Sequence, residues 1–115
     1  MTQSLSCVVT ATNKTVLLGV LPIGSNIVRV FIQVLIAFNS SGTDLIRIGY
    51  TGTTNAFATD TDVSTTGIKS PTLGASAGYQ TGAHQVYAYY TAGVADQTLG
   101  KAVVNIEYFL NSQNP

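Results

Sequence analysis

The stretch "NIVRVFIQVLIAFNSSGTDLIRIGY", residues 26–50, restricts the possible folds more than any other part of the chain. Its apolar run, 27–38, is shorter than the ~20 residues a membrane helix requires, and Arg29 and Gln33 interrupt it. Read with the two-residue period of a strand, it separates into two rows. Val28, Val30, Ile32, Val34, Ile36 and Phe38 form a uniformly apolar row and are assigned to a core. Ile27, Arg29, Phe31, Gln33, Leu35 and Ala37 form the other. A solvated row would not carry Ile27, Phe31 and Leu35 together, and a sealed one would not carry Arg29. The mixture fits a surface covered by a neighbour, with Phe and Arg favoured as anchors. That neighbour is either a second subunit or a loop of the same chain. Ile27, Arg29, Phe31, Gln33 and Leu35 are the candidate interface residues.

The same division recurs along the chain. In "DLIRIGYT" (44–51), Ile46, Ile48 and Tyr50 oppose Leu45, Arg47 and Gly49. In "KAVVNIEYFL" (101–110), Ala102, Val104, Ile106, Tyr108 and Leu110 oppose Val103, Asn105, Glu107 and Phe109. Arg29, Arg47 and Glu107 thus fall on non-core faces, where each needs a partner within or between chains. Further strand signals lie at 5–12, 14–22 and 83–91, separated by "PIGSN", "NSSGTD", "TGTTN" and "TAGVADQTLG". "NSSGTD" is short enough for a hairpin, which predicts antiparallel pairing of its two flanking strands. Residues 55–82 read as two short strands within long loops. No segment has a sustained helical period with caps. The pattern predicts an all-β sandwich or barrel with little or no helix.

The 115 residues suit a single domain spanning 1–115. Five basic residues, balanced by five acidic ones, cannot form the cationic stripe that nucleic acid requires. Charged residues are 9% of the chain, against ~25% in ordinary soluble domains. With 45% apolar residues the chain has the material for a core, and such sparse charge favours self-association. "MTQSLSCVVT" lacks the basic and apolar regions of a signal peptide, so synthesis in a cytoplasm is expected.

Residues able to do chemistry are few. Cys7 and His84 are each the only one of their kind, and nothing nominates an orienting carboxylate for them. Cys7 reads as a small buried hydrophobe, His84 as a surface or turn residue. Asp60 and Asp62 in "TDTD" have the spacing of calcium ligands, but 63–75 holds no further acid, so no metal site is assigned. "GYTGTTN" lacks the lysine of a phosphate loop. No enzyme and no cofactor are expected. In "VYAYY" (86–90), Tyr87 and Tyr89 share one face and Val86, Ala88 and Tyr90 the other, so one tyrosine set packs inside and the other lies at a rim.

The order of motifs resembles small virion structural proteins of tailed bacteriophages. "LGVLPIG" leads into a long apolar strand ending in "AF", followed by a "GT" turn and a strand ending in "IG". Beyond a variable loop come "VYAYYTAG" and a closing "AVVNIEYFL", so the likeness spans about 14–111. It implies a jelly roll of about eight strands in two sheets. It further implies a capsid decoration (cement) protein on the outer surface of a virion, a homotrimer bridging major capsid proteins. The other role it leaves open is a fibre or tail module binding a receptor glycan, for which Tyr79, Gln80 and Tyr87 are candidates. The shared motifs describe turns and core, so no catalytic or binding residue is carried over.

Overall fold

The computed structural model describes residues 2–110. Eight strands run in the order β1 (Thr2–Thr10), β2 (Thr15–Leu21), β3 (Ser25–Ile36), β4 (Asp44–Tyr50), β5 (Thr53–Asp62), β6 (Gly67–Lys69), β7 (His84–Ala92) and β8 (Lys101–Leu110). They form two four-stranded antiparallel sheets, ordered β1-β8-β3-β6 and β2-β7-β4-β5. This interleaving is the jelly roll, and no described residue is helical.

The inner rows of both sheets make one core. Val30, Ile32 and Val34 of β3 meet Val104 and Ile106 of β8, and the opposite sheet contributes Ile46, Ile48, Phe57, Val86 and Ala88. The expected inner faces of β4 and β8 are observed. In β3 the pattern holds only in part. Bulges between Ile27 and Arg29 and between Val34 and Ile36 each insert a residue against β8. Because side chains alternate, each insertion reverses which face the following residues occupy. Ile27, expected outside, is therefore buried (7% exposed), while Val28 and Ile36, expected inside, are 44% and 45% exposed. The row recovers its inward direction at Phe38.

The predicted β3–β4 hairpin does not form. β3 pairs with β8 and β6, whereas β4 pairs with β5 and β7 in the other sheet. "NSSGTD" crosses between sheets, and its polar groups bind elsewhere. The Asn39 Oδ1 accepts the Thr98 and Leu99 amides at 2.8 and 2.9 Å, and the Ser41 amide donates to Asp96 at 2.8 Å. Asp44 is buried at the end of this crossing. Its Oδ1 accepts the Tyr90 hydroxyl at 2.5 Å and the Ser40 amide at 3.2 Å, and its carbonyl accepts the Val63 amide at 3.0 Å. Burial, and then Asp44, push the Tyr90 phenol above its usual range. Its ring packs on Phe38 with centroids 4.5 Å apart, and Phe38 fits because Gly100 has no side chain: a Cβ there would lie 2.3 Å from the ring.

The 55–82 region holds one ten-residue strand, β5, and one of three residues, β6, rather than two short ones. Residues 72–76 then return along β5. The Thr59 amide donates to Thr72, Gly74 to Phe57 and Ser76 to Ala56, at 2.9–3.0 Å.

Two outcomes test this core. Tyr90→Phe should cost about 1–3 kcal/mol in urea denaturation, because it removes a hydrogen bond from a buried carboxyl group and leaves the ring in place. Cys7 packs against the core, and burial pushes its thiol up to about 11. At pH 8 it should react with a disulfide probe about a hundredfold more slowly than an ordinary exposed cysteine, since only the thiolate attacks.

Candidate functional site

The outer face of the β1-β8-β3-β6 sheet carries six exposed large apolar side chains, Val8, Val28, Leu35, Ile36, Ile68 and Phe109. Its rows follow from the strand register. Val8, Val103, Gln33 and Ile68 align across all four strands. The next row is Ser6, Asn105 and Phe31, and the next Ser4, Glu107 and Arg29. Leu35 and Ile36 extend the face at one end, and Val28 and Phe109 at the other. Ile68 is 69% exposed, and Val8 and Leu35 each exceed 40%. No loop among the described residues covers this face. Of the five candidate interface residues, Arg29, Phe31, Gln33 and Leu35 lie on it, and Ile27 lies beneath it in the core.

Two of the charges on this face are paired with each other, while Lys101, opposite Ile36 at one end, has no carboxylate partner among the described residues. Arg29 grips Glu107 across the β3–β8 ladder, Nε to Oε1 at 3.1 Å and Nη2 to Oε2 at 3.3 Å. The same guanidinium sits over the Phe31 ring, 4.7 Å from its centroid. Both charges thus have a partner within the chain. The guanidinium's flat surface joins the apolar patch rather than breaking it.

The outer face of the other sheet is different. Tyr87 and Tyr89 stand there with ring centroids 6.0 Å apart, while Val86, Ala88 and Tyr90 share the opposite, inward face. Arg47 holds Asp60 through two contacts of 2.7 Å and also reaches Thr54. Asp60 is thereby committed to a cation. Asp62 accepts the amide and hydroxyl of Ser64 at 2.8 and 2.6 Å, which hold its carboxyl below the usual range. "TDTD" therefore serves an ion pair and a turn.

Cys7 and His84 are on different sheets, paired with Val104 and Leu21 respectively. His84 stacks on Tyr50 at 4.2 Å, nearly parallel, and the pair borders a cleft of about 310 Å³ with Ser76, Tyr79, Gln80 and Thr81. Of the three glycan candidates, Tyr79 and Gln80 meet here, and Tyr87 does not line the cleft. Gln80 is buried, and its amide Nε2 donates to the Ser76 and Gly78 carbonyls at 2.6 Å, so it shapes the loop. Tyr50 and His84 were not foreseen as partners. The only sequence signal was an aromatic at the end of each of two strands.

No protein-family model matches the chain, and no curated protein matches it in sequence. Solved structures do. A chain of the acidic stable capsid structure of Helicobacter pylori bacteriophage KHP30 superposes with a TM-score of 0.72 at 20% identity, covering 96% of this chain and 88% of that one. A chain of the cyanophage Pam1 capsid asymmetric unit gives 0.70 at 17% identity, over 95% and 84%. A chain of the Ralstonia phage GP4 capsid gives 0.61 at 18% identity, over 94% and 84%. At these identities the likeness is one of fold, and the fold is that of chains found in three phage capsids.

Proposed function

We propose that this chain is a virion structural protein, and specifically a capsid decoration protein that self-associates as a homotrimer on the outer capsid surface. In this reading it bridges neighbouring major capsid proteins after synthesis in the host cytoplasm. The observation that carries the reading is the overlap, over nearly the whole chain, with chains of three phage capsids. The apolar outer face supports the self-association. Burying Phe31, Leu35, Val8 and Ile68 against a sister subunit removes apolar area from water at roughly 25 cal/mol per Å². Arg29 enters such a contact already neutralised by Glu107, so little charge is left unpaired. Work of this kind is mechanical. A protein that binds only the assembled shell stabilises it by mass action.

A second reading, a fibre or tail module for a receptor glycan, draws on the Tyr50–His84–Tyr79 cleft. Aromatic walls and polar loop groups are a combination suited to sugars. The two readings separate in one experiment. Shells stripped of this protein should take it up saturably at a fixed ratio and then resist heating better. Uptake by host cells but not by shells would favour the glycan module.

Phe31→Asp and Ile32→Asp should fail differently. Ile32 is fully buried, so a carboxylate there has no partner, costs several kcal/mol and leaves the chain unfolded by circular dichroism. Phe31 is on the outer face. Phe31→Asp should keep a β spectrum while its mass in solution falls threefold. An unfolded Phe31→Asp would make that face part of the core, and an unchanged mass would put the subunit contact elsewhere.

A further inference from the structure

A β-sandwich has four sheet edges, each a row of backbone groups ready to pair with another strand. Three of these edges are covered, short or interrupted. β5 is lined by residues 72–76 through backbone bonds, and β6 is only three residues long and ends in Lys69. β2 is broken by a bulge between Leu17 and Gly19, where Gly19 has a φ of +150° and a Cβ would press on Leu5 at 2.9 Å. The fourth edge, β1, has none of these protections. Its nine residues, "TQSLSCVVT", contain no charge and no proline, and its register with β8 runs from Thr2 to Thr10 without a bulge.

The direction of its open groups can be read from its end. The Thr10 amide turns away from β8 to the Asn13 carbonyl at 3.3 Å, while the Ala11 amide turns toward Gly100 at 3.2 Å. In an antiparallel strand the N–H and C=O of one residue point the same way, and alternate residues share that direction. Thr2, Ser4, Ser6 and Val8 therefore present their backbone groups to the open side. Among the described residues none of these four has a backbone partner there.

We propose that this edge pairs with β1 of a second copy, antiparallel about a two-fold axis through Ser6. Ser6 is the midpoint of Thr2–Thr10, and only that centre lets the whole strand pair. Ser6 then exchanges backbone bonds with its own copy, and Ser4 with Val8. A two-fold contact sets the residue on its axis against its own equivalent, so a charge at Ser6 would repel itself, and β1 carries none. No other edge of a second copy offers an uncovered, unbroken run of this length among the described residues, which leaves β1 as its own partner. The contact deepens the decoration reading and rests on it only for its role. Where three-fold contacts make a trimer through the outer face, β1 pairs tie adjacent trimers into a net.

Single cysteines test both the pairing and its register. In a Cys7→Ala background, Ser4→Cys, Ser6→Cys and Val8→Cys each place a thiol on the exposed row of β1. Under copper-phenanthroline oxidation Ser6→Cys should give a covalent dimer, because residues facing each other on paired strands are about 5.5 Å apart at Cα, within disulfide reach. Ser4→Cys and Val8→Cys should cross-link to each other when mixed, and poorly to themselves. Ser6→Lys, with its β spectrum intact, should halve the mass in solution and speed amide exchange at Ser4 and Val8. Equal self-cross-linking at all three sites, or none at Ser6, overturns the pairing. Ser6→Lys that keeps its mass but no longer binds stripped shells would give the edge to a shell strand and also overturn it. If the dimer forms and no shell binds the protein, the pairing stands and the decoration reading falls.

Discussion

The β3–β8 ladder is the contact on which the rest of the molecule depends. It runs from Ser25 opposite Leu110 to Ile36 opposite Lys101, at the centre of its sheet. Its inner side supplies Val30, Ile32, Val34, Val104 and Ile106 to the core, and its outer side supplies Phe31, Val103 and the Arg29–Glu107 pair. One pair of strands therefore sets both the stability of the sandwich and the chemistry of the face turned outward. The two bulges lie toward the ends of β3 and leave the central register undisturbed. Between them, 29–34 alternate strictly, and there the division between core and surface is sharpest.

The two outer faces differ in how each relates to water. On the β2-β7-β4-β5 sheet, Arg47, Asp60 and the Tyr87 and Tyr89 hydroxyls are polar tips on apolar stems. Burial raises the Tyr89 phenol, as at a partly covered rim. On the β1-β8-β3-β6 sheet, the one ion pair shares the face with exposed Val8, Val28, Leu35 and Ile68. An exposed ion pair contributes little to folding, so its physical effect there is to leave Lys101, at one end, as the face's only unpaired charge among the described residues. A largely apolar face suits contact with protein better than contact with small polar ligands.

Much of this was legible in the sequence, and the exceptions have physical causes. Alternation alone assigned the inner rows of β4 and β8 and divided β7 into its two faces, and the need to pair charges anticipated that Arg29, Arg47 and Glu107 have partners without naming them. Ile27, Val28 and Ile36 were misassigned because a bulge adds one residue without leaving a glycine or proline to mark it. The β3–β4 hairpin was misread because a short polar link serves a tight turn and a crossing between sheets equally well. What separates the two is remote: Asn39 reaching Thr98, and Asp44 reaching Tyr90. The aromatic cleft was hidden for a related reason. Its 75–81 wall is loop, and loops carry no period from which a neighbour can be inferred.

The position of β8 between β1 and β3 bears on how the protein is made. Residues 101–110 are nearly the last of the described chain to leave the ribosome, yet their place is in the middle of a sheet. Until they arrive, β1 and β3 have nothing between them, and the Val30–Ile32–Val34 row of β3 lacks the strand it packs beside. The nascent chain can assemble β2, β7, β4 and β5 first, while the other half waits with a gap one strand wide. Closure then requires ordering about a hundred residues of intervening chain, the slow, long-range kind of step that governs β-sandwich folding. During that interval β3 is an apolar strand with an open edge, and a neighbouring nascent copy offers the same edge in return. Crowded polysomes would thus make the β8 slot the point at which two chains can exchange strands.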